Sequence, residues 1–154
     1  MVGIFGQAHA DCINDAAKLY NVNPDVLRSI AYYESHLNPE ALNHNENGTT
    51  DFGLMQINSV HLPTLRREGI GRSQLMQPTV NARVGAAILH DAINQYGPTW
   101  QAVGAYHSRT PALSYQYAEA IHHIFLTKPW QRACASSQSA STSVGVDVTA
   151  LRLD

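Results

Sequence analysis

Ile30-Ala-Tyr-Tyr-Glu-Ser-His-Leu-Asn-Pro39, continued after a polar interval by Asp51-Phe-Gly-Leu-Met-Gln-Ile-Asn58, decides the fold of this chain. The first half closes a helix expected from Pro24 to about His36. Asn23 is a good cap, Pro24 suits the first helical position, and Asp25 complements the positive end of the helix dipole. Leu27, Ile30, Ala31 and Glu34 recur at i, i+3, i+4 and i+7, so Glu34 falls on the apolar stripe where the pattern asks for a Leu. Asn38-Pro39 is expected to end the helix, because the residue before a proline avoids helical geometry. Residues 43–51 contain no apolar side chain. Asn47-Gly48 marks a tight turn within them, so a small hairpin is expected there.

A carboxyl group on an apolar helix face is costly to bury charged, and its pKa rises. A carboxylic acid still protonated near neutral pH can donate to the leaving oxygen of a glycosidic bond. The bland alternative is an interior Glu satisfied by an Arg or a helix end. Asp51 follows the polar loop, and two acids bracketing a loop suit the two-carboxylate scheme of glycosidases. Beside Thr50 and Gly53, Asp51 reads equally well as a turn or cap residue.

Outward from this stretch, the chain reads as mostly α. Residues 11–20 form a helix with Cys12, Ala16 and Leu19 on one face. Short helical pieces are expected at Pro63–Arg67 and Ser73–Met76. The longest helix spans about 80–96, capped by Thr79, with Val80, Val84, Ala87, Ile88 and Ala92 as its stripe and Gly97-Pro98 as its stop. Thr99 caps a helix to about Tyr106. Ser114 caps a last one, with Tyr117, Ile121, Ile124 and Phe125 inward and Pro129 beyond its end. The domain is expected over 11–134. Residues 1–10 read as a signal-peptide remnant, with Ala8-His9-Ala10 as a small-x-small site, or as a flexible end. Residues 135–154 are Ser/Ala-rich and are expected to be a disordered tail.

The 154 residues are enough for one ordinary domain, and 44% hydrophobic with 14% charged residues suits a globular protein. A net charge of −2 without a basic stripe argues against nucleic acid as partner. No apolar run reaches the roughly 20 residues of a membrane span. Eight histidines show no metal-binding spacing, and neither a metal nor a cofactor is expected. Cys12 and Cys134 permit one intramolecular bridge, which would close a loop of more than about 100 residues and contribute roughly 4–5 kcal/mol. Two unrelated thiols are the alternative, and a bridge would require export. Tyr32, Tyr33, Tyr96, Trp100, Tyr115 and Tyr117 divide between core packing and sugar stacking, with core packing the default for each.

Glu34-Ser35, Asn38-Pro39, Ala41, Asn43, Gly48, Asp51, Gly53 to Asn58 and Ala105-Tyr106 together resemble the lytic transglycosylases with a soluble-transglycosylase, lysozyme-like domain. The likeness covers about residues 11–127. It is greatest to the small members that accompany type III and type IV secretion, conjugation and type IV pilus machines. The resemblance implies an α+β lysozyme-like fold, with a compact helical domain and a small β element beside the cleft. It implies Glu34 as the catalytic acid/base and Asp51 as a candidate second carboxylate. It implies Ser35, Gly53, Met55, Gln56 and Tyr106 as substrate-binding residues, with Ser35 bonding nearby backbone or substrate, Met55 and Gln56 touching sugar and Tyr106 orienting the acid. Two departures stand out. His107 occupies the place of an Asn, and Thr79 stands where secretion-associated relatives often carry a Cys able to pair with one like Cys12.

The function so implied is a periplasmic, exported enzyme cutting the β-1,4 bond between N-acetylmuramic acid and N-acetylglucosamine. Its products carry 1,6-anhydro ends, and its partners would be peptidoglycan strands and components of a secretion or pilus machine. A lysozyme-type hydrolase and a non-catalytic peptidoglycan-binding assembly factor are the alternatives.

Overall fold

A computed structural model describes residues 5–131, with side chains from Cys12 onward. The described residues contain seven α-helices, a three-stranded sheet and a 3₁₀ turn at Ser59–His61: α1 Phe5–Tyr20, α2 Pro24–Ser35, β1 Leu42–His44, β2 Thr50–Phe52, β3 Ile57–Asn58, α3 Leu62–Arg67, α4 Arg72–Leu75, α5 Pro78–Tyr96, α6 Trp100–His107 and α7 Pro111–Thr127. The mostly α class with a small β element is borne out. Helix α5 runs through the middle, packed against α1 and α6, while α7 packs against α6 and α2. No helix among the described residues is long and apolar enough to cross a membrane. Cys134 and the expected tail lie outside the described residues.

Helix α2 starts as expected. Asn23 Oδ1 accepts from the amides of Asp25 and Val26 at 2.9 and 3.1 Å. Asp25 also pairs with Arg28 at 3.1 Å and Lys128 at 2.8 Å, tying the start of α2 to the end of α7. Leu27, Ile30 and Ala31 are fully buried, so the stripe carrying Glu34 is the core face. The helix ends before Asn38-Pro39. His36 and Leu37 both turn left-handed, with φ of 53° and 62°. Their amides cap the Tyr32 and Ala31 carbonyls at 2.8 and 3.3 Å. Left-handed backbone costs roughly 1–2 kcal/mol per non-glycine residue, so this ending needs tertiary support. Ser35 provides it at the same corner, as described below.

The hairpin forms at the expected turn. Asn43 faces Asp51 across β1 and β2, and Gly48 adopts φ 81°. A third strand, β3, pairs with β2 and sets Asp51 opposite Asn58. Two residues are too short to show a period-2 pattern, so sequence carried no sign of it.

Three helix faces or starts differ from expectation. In α1 the core face is Ile13, Ala16 and Ala17, while Leu19 is exposed; the helix also begins ahead of Asp11. Helix α5 begins at Pro78 with no side-chain cap, and its fully buried positions are Asn81, Ala82, Ala86 and Leu89. Of the expected stripe, Val84 and Ala92 are buried, whereas Val80, Ala87 and Ile88 are only half-buried. A helix covered on two sides buries more than one stripe, and small residues face the closest neighbours. A Cβ at Gly85 would lie 2.8 Å from Met55 Cγ. Helix α7 starts at Pro111 rather than at Ser114. Thr99 does cap α6, accepting from the Ala102 amide at 3.4 Å.

Cys12 Sγ on α1 lies 3.2 Å from Thr79 Oγ1 on α5. Thr79→Cys, in a Cys134→Ser background, is therefore expected to form a bridge to Cys12. It should raise stability by up to about 4 kcal/mol. Denaturant midpoints measured with and without reductant check this, and identical midpoints refute it.

Candidate active site

Glu34 occupies the last turn of α2, half-buried, on the wall of a cleft of about 410 Å³. The sheet side of the cleft presents Asn45, Asp51 and Asn58; the helical side presents Ile88, Tyr106 and His107. Burial pushes the Glu34 carboxyl from 4.5 up to about 7; the hydrogen bond from Tyr117 opposes this, and the charge of Asp51 adds to it. The group is thus a weak acid that exchanges its proton near neutrality, as a general acid that must later act as base requires.

Tyr117 Oη donates to Glu34 Oε1 at 2.6 Å. Its ring is held on several sides. His107 stacks on it with centroids 4.8 Å apart and planes 4° from parallel, and Tyr33 meets it edge-on at 5.1 Å. Burial raises the Tyr117 and Tyr106 phenols well above their ordinary 10, so both remain O–H donors. Tyr106 lines the cleft, but its hydroxyl goes to Met55 O at 3.0 Å and not to the acid. The hydrogen bond to the acid therefore comes from Tyr117 and not from Tyr106. The available clue was a tyrosine on the inner face of the last helix: a buried phenol needs an acceptor.

The turn of residues 53–56 works mainly from behind the cleft. Gly53 has φ 70°, and a Cβ there would lie 2.7 Å from Asn81 Nδ2. Leu54 and Met55 are fully buried, so the expected sugar contact of the Met55 side chain is corrected: it fills the core against Gly85. Gln56 does line the cleft, with its amide donating to Gly53 O at 2.9 Å. Ser35 is buried as well. Its hydroxyl donates to Leu54 O at 2.7 Å and accepts from the Asn38 amide at 3.1 Å. It joins the end of α2 to the turn and leaves substrate contact to others. Asn81, which sequence reasoning missed, is the centre of this arrangement. Its Oδ1 accepts from the Met55 amide at 2.7 Å, and its Nδ2 donates to Phe52 O and Leu75 O at 2.7 and 2.8 Å.

Asp51 is held rather than free. Oδ1 accepts from Asn58 Nδ2 at 2.7 Å and Oδ2 from Asn45 Nδ2 at 2.8 Å. Both amides fix its carboxylate in the lining of the cleft. No cluster of three metal-ligating side chains occurs among the described residues.

Residues 11–120 match the Transglycosylase SLT domain. The chain belongs to this family. It is 47% identical over 104 residues to the invasion protein IagB of Salmonella typhimurium (strain SL1344), covering 67% of the chain. It spans 65% of IagB's length, just under two thirds. It is 37% identical over 122 residues to the protein IpgF of Shigella flexneri, covering 76% of this chain and 80% of IpgF. Its fold matches the lytic transglycosylase Slt of Pseudomonas aeruginosa, solved as the inactive mutant E503Q, with a TM-score of 0.62 at 22% identity. That match covers 80% of this chain and 25% of Slt, and it confirms the lysozyme-like architecture. In this SLT domain, then, the quoted stretch supplies Glu34, Asp51, Gln56, Ile57 and Asn58 to the lining of the cleft.

Two outcomes follow from the pKa of Glu34. Tyr117→Phe removes the hydrogen bond that favours the carboxylate, so the Glu34 pKa should rise above about 7; carboxyl-labelled NMR titration measures it, and an unchanged or lower value refutes the assignment. The folded pKa also lies above the unfolded one, so the stabilisation it brings is complete below 4.5 and is lost as pH rises through about 7. Glu34→Gln should accordingly gain stability over the parent protein by up to about 3 kcal/mol between pH 4 and pH 8. Chemical denaturation at the two pH values checks it.

Proposed function

We propose that this SLT domain is a peptidoglycan lytic transglycosylase. It cuts the β-1,4 bond between N-acetylmuramic acid and N-acetylglucosamine and leaves a 1,6-anhydromuramoyl end. The observation that carries the reading is Glu34, held by Tyr117 on the cleft wall with a pKa of about 7.

The reaction uses this one group twice. Protonated Glu34 gives its proton to the bridging oxygen as the C1–O bond breaks and N-acetylglucosamine leaves with its hydroxyl. The carboxylate then takes the proton of the muramoyl C6 hydroxyl, whose oxygen closes on C1. The proton returns to Glu34, a glycosidic bond is exchanged for an internal one, and no water is consumed. A nucleophile within the same sugar reaches an effective concentration of roughly 10⁵ M or more when well oriented, so a second catalytic carboxylate is not required. Asp51, fixed by two amides, offsets positive charge developing at C1.

The family membership and the kinship to a protein named for invasion support a place at the cell envelope. We assign the chain to the periplasm as an exported protein, where it opens the wall locally for a type III or type IV secretion, conjugation or pilus apparatus.

Digestion of purified sacculi followed by mass analysis of the products tests the reaction. Anhydro ends are expected; they are lighter by one water than the reducing ends of a hydrolase. Glu34→Gln should lower product formation by at least about 100-fold with the fold retained. Reducing ends alone would make the protein a lysozyme-type hydrolase, and binding to sacculi without any product would make it an assembly factor.

A further inference from the structure

The catalytic cleft shares His61, Ile88 and Tyr106 with a neighbouring groove of about 290 Å³. This groove holds one acid and one guanidinium, Asp91 from α5 and Arg109 from the loop between α6 and α7. Both side chains are exposed. Neither enters an ion pair among the described residues, where the ion pairs are those of Asp25 with Arg28 and Lys128. Arg109 and Tyr96 also line a third groove of about 310 Å³, flanked by Tyr115, which is 68% exposed. The cleft itself carries only the acids Glu34 and Asp51 as formally charged lining, with no Lys or Arg.

We infer that the groove of Asp91 and Arg109 binds the peptide stem of the glycan strand. The inference rests on the proposed peptidoglycan substrate. Each muramoyl residue carries, through its lactyl group, a peptide with free carboxylates and, where it is not cross-linked, the free amine of a diamino acid. A strand laid against Glu34 must send that peptide out of the cleft. The acidic cleft repels its carboxylates, whereas the adjoining groove offers Arg109 for a carboxylate and Asp91 for an ammonium. A guanidinium favours carboxylates through paired N–H donors, and the two unpaired charges match an amphoteric ligand better than an anion or a cation alone. Side chains at Arg109 and Asp91 thereby select strands whose stems are still in place.

Calorimetry on Glu34→Gln, which holds substrate without turning it over, tests this with two probes: soluble stem-bearing glycan fragments, and the same fragments stripped of stems by an amidase. Tighter binding of the stem-bearing fragments is expected. Adding Arg109→Ala should shrink that preference about fivefold. Acetylating the stem amine should weaken binding to Glu34→Gln alone but add little once Asp91→Asn is present. Arg67→Ala, which removes an exposed cation on α3, should leave the preference intact. Equal affinity for both probes overturns the inference while leaving the glycan-cutting reading in place. An equal loss from Arg67→Ala also overturns it, since the attraction would then be general charge. Binding of neither probe, with a fold intact by circular dichroism, removes the peptidoglycan reading and this inference with it.

Discussion

The carboxamide of Asn81 is the constraint on which the site depends. It is fully buried on α5 and makes three hydrogen bonds, one to the Met55 amide and two to the carbonyls of Phe52 and Leu75. Those three groups come from the turn behind the cleft, from β2 and from the end of α4. Without Asn81 they would be polar atoms sealed in an apolar core, each costing on the order of 1–3 kcal/mol. The same amide dictates glycine at 53, since it occupies the space of a Cβ there. Leu54 and Met55 then enter the core, and Gln56 turns back toward the cleft.

The acid is positioned by a second, converging set of contacts. Ser35 ties the residue after Glu34 to Leu54 O, and Tyr106 ties Met55 O to α6. Tyr117 reaches across from α7 to hold Glu34 itself. The end of α2 is therefore tied to the turn through Ser35 and to α7 through Glu34, on adjacent residues, while Tyr106 ties the turn to α6. This lets the left-handed pair His36 and Leu37 persist, and it keeps the Glu34 carboxyl in an environment that resists its ionisation. Under the proposed mechanism rigidity here is a chemical requirement, because a group that donates and then accepts a proton has to stay within reach of both oxygens.

Much of this was legible in the amino-acid order. The stripe Leu27, Ile30, Ala31, Glu34 showed an acid on a core face, and Asn23-Pro24 and Asn47-Gly48 marked a helix start and a turn. These are local signals, written in period 3.6 and in turn chemistry. The faces of α1 and α5 were misjudged because a helix buried on two sides does not show a single stripe. The resemblance implied a sugar contact for Met55, but the side chain is fully buried against Gly85, so it fills the core behind the cleft.

By itself, then, the sequence determined the helical class, the hairpin turn and the presence of one acid where an apolar residue belongs. These depend on neighbours a few residues apart. Only the tertiary structure decided that Tyr117 rather than Tyr106 holds Glu34, that Asn81 fixes the turn, and that Asp51 is fastened by Asn45 and Asn58. Tyr117 lies 83 positions from Glu34, and Asn81 lies 26 from Met55. Hydrogen bonds of that span leave no periodic trace along a chain, because their partners meet only when α5 and α7 close on the core.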